Sequence, residues 1–102
     1  MAKAFLISPA DESIEPIELN NLDEVPGLVG YDTIESDGVG EAGDRLFFDE
    51  ECFIRGTSGR FQIDKLIPVA GKGVIVGVAA DGSTLQDVSL SQEELLGRTR
   101  FE

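Results

Sequence analysis

Short apolar runs separated by polar residues dominate this chain, and they predict strands rather than long helices. The run KAFLIS at 3–8 is followed by the turn residues ADES and by a second apolar segment that ends near Leu19. We expect the two segments to pair as a β-hairpin with Asp11 and Glu12 in its turn. Because proline lacks an N–H group, Pro16 predicts that the second strand lies at a sheet edge or contains a bulge.

The C-terminal half contains the clearest strand. Its β-branched run VIVGVAA, at 74–80, predicts a central strand. The segment ADGS at 80–83 contains the Asp-Gly pair favoured in tight hairpins, so 85–90 is expected to return as the next strand. Weaker alternation predicts further strands at 31–36, 45–49, 52–55 and 61–63, with a last edge strand at 98–101.

Capping residues predict two short helices. Asn20 or Asn21 can cap the first, and Gly30 would end it. Pro26 limits this segment to a short or broken helix unless the proline falls in the first turn. The second is marked by the capping box of Ser91 and Glu94. It is expected to run from about Gln92 to Leu96 and to end at Gly97. The glycine-rich stretch at 37–43 is expected to be a flexible surface connection.

These elements predict an α+β fold in a single small domain, 1–102. We expect a mixed, mostly antiparallel sheet of about five to seven short strands with two short helices. The 102 residues suffice for one core. No apolar run approaches the ~20 residues that span a bilayer, and the N-terminal run is too short for a signal peptide. Since a lone cysteine forms no internal disulfide, we expect a soluble cytoplasmic protein with no membrane partner.

Charge is distributed unevenly along the chain. The net charge is −12; residues 11–51 contain fourteen acidic residues and one basic residue, Arg45, whereas residues 52–102 contain six of each. Such a field repels nucleic-acid phosphates, so no direct nucleic-acid binding is expected. It attracts cations, which leaves a basic protein partner, simple solubility or a metal ion as interpretations of the N-terminal half.

The segment GDRLFFDEECFIRG at 43–56 concentrates carboxylates around two phenylalanines. A calcium loop with Gly38 at its central glycine position would begin at Thr33 and end at Asp44, and neither residue fits the ligand pattern. Consecutive acidic residues in a turn would splay outward, so we expect a hairpin with a solvated acidic tip and no metal site. A glycosidase pair is poorly supported, because any acid-rich chain supplies two carboxylates. The candidate partner-binding face comprises Asp44, Asp49, Glu50 and Glu51.

Catalytic residues of the common kinds are missing from the sequence. The chain has no histidine, which removes the usual member of triads, zinc sites and general-base pairs. Cys52 follows three acidic residues that would disfavour its thiolate, so it is expected to be a half-buried, inert thiol that shares a strand face with Ile54. We therefore predict no catalytic residues, no cofactor and no enzymatic activity.

The segment Gly71-Lys72-Gly73 superficially resembles a phosphate-binding loop. A P-loop requires Ser or Thr after the lysine and then a helix, whereas here a glycine and a β-branched strand follow. The favoured interpretation is a tight turn that leads into the central strand. The alternative is a small-ligand site made by Gly71, Lys72 and Gly73.

Several segments together resemble a family of small uncharacterised proteins found in phages, plasmids and bacterial genomes. They are GDRLFFDEE, IRG, PVAGKGVIVG and DGSTLQDVSLSQEEL, and the opening KAFLISPADESIEPIEL is similar to the N-terminal hairpin of that family. The shared pattern is Gly-Asp-x-Leu-aromatic-x-Asp-Glu followed by Ala-Gly-x-Gly and an aliphatic strand that ends in glycine. Pro26 and the 37–43 segment depart from it. The resemblance implies a fold and turn positions, but it carries over no catalytic residue.

The leading functional hypothesis is a small non-enzymatic accessory protein of the mobile-element type, which binds a partner through an acidic face in 11–51. One alternative is a domain that sequesters or senses a nucleotide-like ligand at the 71–73 turn. Another is an acidic mimic of DNA, which would require the carboxylates of 11–51 to line up on one surface. The oligomeric state is left open.

Overall fold

The computed structural model describes residues 1–40, 42–52, 54, 59–82 and 84–101. Within these residues the chain forms nine strands, two α-helices and one 3-10 turn at Leu22–Glu24. The strands are β1 (Ala2–Ser8), β2 (Ser13–Leu19), β3 (Ile34–Val39), β4 (Asp44–Asp49), β5 (Arg60–Ile63), β6 (Val69–Ala70), β7 (Gly73–Val78), β8 (Leu85–Gln86) and β9 (Thr99–Phe101). The helices are α1 (Val25–Val29) and α2 (Gln92–Arg98).

The strands form two antiparallel sheets. The main sheet has the order β2-β1-β7-β4-β3, with β8 paired to the end of β7, and a small sheet has the order β6-β5-β9. The Cα radius of gyration is 12.3 Å, close to the ~13 Å of a compact 100-residue domain. The predicted α+β fold is confirmed, and so are the N-terminal hairpin, the central position of the 74–80 run and the edge position of the proline-containing strand.

Side-chain alternation in the main sheet creates two cores. On one face Phe5 and Ile75 pack with Phe61 of the small sheet and Leu95 of α2. On the other face Val74 and its neighbours pack against the segment that contains α1. Since all six residues of β7 are buried, this strand reads as a continuous apolar run instead of alternating with polar residues.

Two glycines of β7 allow close packing on the small-sheet face. A Cβ atom on Gly73 would lie 2.7 Å from Cζ of Phe61, and one on Gly77 would lie 2.6 Å from the carbonyl oxygen of Asp87. Neither distance is tolerated by a real side chain. The glycines of the VAGKGVIVG motif at these positions are therefore explained by packing against neighbouring segments.

The predicted cap Ser91 begins α2, and Asn21 caps the 3-10 turn that leads into α1; the N-cap residue of α1 itself, Glu24, makes no side-chain capping bond. Asn21 and Ser91 each accept a hydrogen bond from a backbone N–H group, and each belongs to a complete capping box. The expected end of the second helix at Gly97 is wrong. The helix continues to Arg98, and Thr99 passes directly into β9 with extended backbone.

Three predicted segments differ from the structure. Residues 37–39 of the supposed flexible connection belong to β3, and Val39 is buried against the core, so the turn begins only at Gly40. The returning strand at 85–90 is limited to Leu85–Gln86. The predicted strand at 52–55 is not formed by its described residues 52 and 54, which lie in a turn; residues 53 and 55–58 lie outside the described part of the chain.

The hydrogen-bond pattern shows which main-chain groups of the edge strands point outward. The N–H of Glu50 donates to the carbonyl of Thr33 at 2.8 Å, and antiparallel pairs alternate between bonded and non-bonded positions. Residues 35, 37 and 39 therefore bond to β4, whereas residues 34, 36 and 38 point away from the sheet. The same alternation, carried from β4 through β7 and β1, turns residues 14, 16 and 18 of β2 outward.

No helix among the described residues is long and apolar enough to cross a membrane.

Candidate functional site

Carboxylates gather at one corner of the main sheet, where β3 begins and β4 ends. Ile34 lies opposite Asp49 in the β3–β4 pairing, and the same register continues to the bond between Thr33 and Glu50. Because side chains alternate along a strand, Glu35 and Glu50 project from the same face as diagonal neighbours. The term "acidic corner" refers below to Asp32, Glu35, Glu50 and Glu51 together with the underlying Asp49.

Asp49 organises this corner from beneath. It is 2 % exposed, accepts a hydrogen bond from the Thr33 hydroxyl and accepts another from the N–H of Glu51 at 3.1 Å. The first bond ties the loop before β3 to the end of β4, and the second shapes the turn that follows. A buried carboxylate of this kind supports the exposed ones around it and is not itself available to a partner.

The exposed carboxylates of the corner repel one another. A side-chain hydrogen bond with Glu35 raises the pKa of Glu50, and partial desolvation together with the negative charges of Glu35, Glu51 and Asp49 raises it further. All of the charges that act on this pKa are negative. The corner therefore carries local electrostatic repulsion that a bound cation would relieve.

A shallow cavity of about 530 Å³ adjoins the corner. Pro26, Tyr31, Asp32 and Thr33 line it, with two glycines between them. Tyr31 is 36 % exposed, and the Thr33 hydroxyl is fixed by its bond to Asp49. The cavity thus combines an aromatic ring and a carboxylate on a loop that is anchored to the acidic corner.

Asp44 lies at the opposite end of β4 and is a structural residue. It is 3 % exposed, and its carboxylate accepts bonds from the N–H and the hydroxyl of Ser89, at 2.9 and 2.5 Å. The expectation of a solvated tip is therefore wrong for Asp49, whereas Glu50 and Glu51 are exposed. The predicted partner-binding face is wrong for both Asp44 and Asp49, whose hydrogen bonds compensate for their burial. The four predicted residues do not form one accessible face.

Four acidic residues of 11–51 lie on the two opposite edge strands of the main sheet. Glu15 and Glu18 are exposed on β2, whereas Glu35 and Asp37 are on β3. These strands are four spacings apart in the main sheet, or about 19 Å at ~4.8 Å per spacing. These four carboxylates therefore lie on two separate edges, and the DNA-mimic hypothesis stays a prediction.

The Gly71–Gly73 segment forms the predicted turn into the central strand. Gly71 has a φ of +79° and donates its N–H to the carbonyl of Gly59 at 3.2 Å. Gly73 is buried and pairs with Ile7. Lys72 is exposed between them. The amides that flank Lys72 are thus engaged in structure, and the segment does not line any of the five cavities found among the described residues.

Cys52 is a buried thiol, 3 % exposed. Its Sγ accepts a hydrogen bond from the N–H of Ala70 at 3.4 Å, which ties the turn after β4 to the small sheet. Its expected face partner Ile54 is instead 84 % exposed, because the two residues lie in a turn. Among the described residues, no group of three or more histidine, cysteine, aspartate or glutamate side chains is arranged to hold a metal ion.

An open groove of about 650 Å³ lies at the opposite edge of the main sheet, along β1 and β2. Phe5, Pro16, Val88 and Leu90 form its apolar part, and Lys3 and Glu18 lie at its rim. Lys3 and Glu18 are cross-strand partners, so their opposite charges face each other across β1 and β2. The groove offers apolar surface with few convergent polar groups.

Sequence reasoning missed Asp32 and Glu35 as members of the candidate site. Asp32 lies eleven residues and Glu35 eight residues before the start of the GDRLFFDEE motif. The β3–β4 register and the bond between Thr33 and Glu50 bring this segment to the end of the motif. The alternation of TIES at 33–36 indicated a strand but not its partner. The relevant signal was therefore the pairing of two acidic strands, which the sequence alone did not specify.

No protein-family model, curated protein or solved structure matches this chain. The resemblance to small phage and plasmid proteins therefore stays a prediction.

Proposed function

We propose that this protein is a non-catalytic binding domain whose acidic corner binds a cationic protein segment. The supporting observation is the β3–β4 register, which places the exposed side chains of Glu35 and Glu50 as diagonal neighbours on one face of the sheet. The raised pKa of Glu50, caused by its hydrogen bond with Glu35 and by neighbouring negative charges, agrees with this crowding. Packing like charges in this way is unfavourable for the free protein. A lysine or arginine of a partner would replace the repulsion with attraction, so the corner favours a cation over a neutral or anionic partner.

The adjoining cavity supplies a place for one cationic side chain. Tyr31 presents part of its aromatic ring, and Asp32 presents a carboxylate beside it. Cations are attracted both to the face of an aromatic ring and to a carboxylate. Because Asp49 anchors the intervening Thr33, this arrangement would be largely preorganised before the partner binds.

The binding hypothesis is preferred to catalysis because Glu35, Glu50 and Glu51 are exposed and do not line the adjoining cavity. General acid–base chemistry would need a proton donor and an acceptor held around a substrate in a cleft. A small-ligand role for Gly71–Gly73 has less support because the turn's amides are already engaged. The cytoplasmic location expected from the sequence belongs to the same proposal.

The proposal is tested by titrating a fluorescent peptide of lysine and glycine into the protein and measuring anisotropy at several salt concentrations. The test variant is the double substitution Glu35→Gln with Glu50→Gln. The control is Glu15→Gln with Glu18→Gln, which removes the same charge from the opposite edge. We expect the test variant to weaken binding at least fivefold and the control to weaken it less than twofold.

An equal loss in both double variants would contradict the proposal, because it would mean that the peptide responds only to net charge. Undetectable binding to the unmodified protein at low salt would contradict it as well. Circular dichroism of each variant checks that the fold is retained, and all four glutamates are exposed or half-buried, so that control is expected to hold.

A further inference from the structure

The two edge strands differ in which of their outward N–H and carbonyl groups are already blocked or hydrogen-bonded. On β2, the carbonyl of Ile14 accepts a hydrogen bond from Nε2 of Gln92 at 2.6 Å, and Pro16 has no N–H to offer. On β3, the outward residues are 34, 36 and 38. The N–H of Ile34 donates to the carbonyl of Asp32 at 3.0 Å, whereas no hydrogen bond is described for the N–H or the carbonyl of Gly38 within the described chain. Gly38 is also exposed. An unpaired edge of this kind can accept another strand.

One side chain of the protein currently covers part of the β3 edge. Arg45 projects from β4 and donates through Nε to the hydroxyl of Ser36 at 3.1 Å and through Nη2 to its carbonyl at 3.2 Å. Its Nη1 would lie 3.8 Å from a Cβ atom on Gly38. The guanidinium thus crosses the strand and occupies the Ser36 carbonyl, which an added strand would need.

The charges beside this edge indicate what kind of strand it would accept. Glu35 and Asp37 project from the same face as Glu50, because they alternate with residues 34, 36 and 38. Residues of an added strand directly opposite Glu35 and Asp37 would point to that face, with Cβ separations of about 4.5–5.5 Å. Positive residues at alternate positions would meet both carboxylates, whereas the intervening residues would face Ser36 and Gly38 and could be small or apolar.

We infer that β3 is the docking edge for an extended cationic segment, which adds to the main sheet as a further strand and displaces Arg45 from the Ser36 carbonyl. The inference rests on the proposed function and specifies how the partner is held. Main-chain hydrogen bonds to Ser36 and Gly38 align the segment, because the N–H of Ile34 already donates to the carbonyl of Asp32 at 3.0 Å. The carboxylates of Glu35, Asp37 and Glu50 favour a positively charged segment. Arg45 competes with it, since its guanidinium holds the carbonyl that the incoming N–H requires.

Amide hydrogen exchange is the primary test. The probe is a short peptide that alternates lysine with valine, and the reference probe has the same composition with its lysines in one block. We expect the alternating peptide to slow exchange at the amides of Ser36 and Gly38 at least tenfold, and the block peptide to protect them much less. Binding without added protection at these two amides would overturn the inference while leaving the proposed function intact, whereas absence of binding by both peptides would contradict the proposed function itself.

Gly38→Pro tests the main-chain contact without changing the charge. The substitution removes an outward N–H and leaves the β3–β4 ladder intact, which reproduces on β3 the situation of Pro16 on β2. The matched control is Gly38→Ala, whose Cβ meets Arg45 only at van der Waals distance. We expect the proline variant to bind the alternating peptide at least fivefold more weakly than the alanine variant. Equal affinities would contradict strand addition.

Arg45→Ala tests the competition. We expect it to strengthen binding of the alternating peptide about fivefold, because the Ser36 carbonyl is released. Lys65→Ala removes the same charge from an exposed site on a different segment and is expected to have less than a twofold effect. Equal effects of the two substitutions would show that only net charge changed and would refute the role of Arg45.

Discussion

The two edge strands of the main sheet have similar charge but differ in their main-chain exposure. β2 carries Glu15 and Glu18, and β3 carries Glu35 and Asp37. On β2, Pro16 and the Gln92 side chain remove two of the outward groups. On β3, among the described residues, the Arg45 side chain holds the Ser36 carbonyl and the N–H of Ile34 is bonded to the carbonyl of Asp32. A rigid proline blocks strand addition permanently, but a side chain can move away. The comparison shows that acidic composition alone does not identify a binding edge.

The largest effect is expected from removing the carboxylate that supports the β3 edge. Asp49→Ala would leave the Thr33 hydroxyl and the Glu51 N–H without their acceptor in a buried position, so we expect a loss of about 3 kcal/mol in the free energy of unfolding. The Lys-Gly peptide should also bind more weakly, because the loop before β3 loses its anchor. Urea denaturation and peptide anisotropy measure the two effects.

Asp44→Ala is the control for that prediction. It removes an equally buried carboxylate with two hydrogen bonds from Ser89, and we expect a comparable loss of stability of about 3 kcal/mol. Since Asp44 lies at the other end of β4, peptide affinity of the folded protein should be unchanged. Weaker peptide binding by Asp44→Ala than by Asp49→Ala would contradict the assignment of the acidic corner.

Freeing the outward N–H and carbonyl groups of β2 would make this edge strand resemble β3. Pro16→Thr combined with Gln92→Ala supplies an N–H and frees the Ile14 carbonyl, so β2 should become able to pair with another strand. We expect concentration-dependent self-association in sedimentation velocity, with a stability change below about 1 kcal/mol at these edge positions. The corresponding Glu15→Thr variant leaves both outward groups blocked and should stay unchanged. Association by this control instead would argue that charge, and not main-chain access, protects β2.

The raised pKa of Glu50, beside the β3 edge, predicts how the free energy of unfolding depends on pH. Repulsion disfavours the charged form in the folded protein, so Glu50 lowers stability at pH values above its raised pKa. This penalty decreases as the pH falls and is absent below the ordinary value of 4.5. Glu50→Gln should therefore raise the free energy of unfolding relative to the unmodified protein. This gain should be largest near neutral pH and should decrease as the pH falls. A difference that grows on acidification would contradict this account.

The smallest effect is expected at the pair of Asp64 and Arg98, which joins the small sheet to α2. Hydrogen bonding to Arg98 lowers the pKa of Asp64, so its stabilisation is present above the ordinary value of 3.8 and is lost as the pH falls through the lowered pKa. Both side chains are about one-third exposed. Asp64→Asn should therefore cost less than about 1 kcal/mol at neutral pH and leave peptide binding unaffected.

Much of the fold could be predicted because its determinants are local. The capping boxes at Asn21 and Ser91, the Asp-Gly turn after β7 and the proline of β2 act within a few residues. The end of α2 could not be predicted from Gly97, because β9 must begin directly after the helix to pair with β5. The 37–39 extension of β3 depends on Val39 reaching the core. The end of α2 and the extension of β3 both depend on contacts between residues that are far apart in the sequence.

The candidate site was harder to predict because its members are separated in sequence and their burial is decided by tertiary contacts. The charge pattern correctly indicated that Glu50 and Glu51 are exposed. It could not show that Asp44 and Asp49 turn inward, since their partners Ser89 and Thr33 are brought to them by the β-sheet arrangement. Glu35 belongs to the acidic corner because the β3–β4 register places it beside Glu50.

The ionisation of Glu50 in the free and bound protein tests the central claim most directly. Its side-chain carboxyl carbon can be followed by NMR through a pH titration, with and without saturating Lys-Gly peptide. We predict a raised pKa in the free protein and a fall to or below 4.5 in the complex, because a bound cation stabilises the carboxylate. A pKa that stays raised at saturation would contradict binding at the acidic corner.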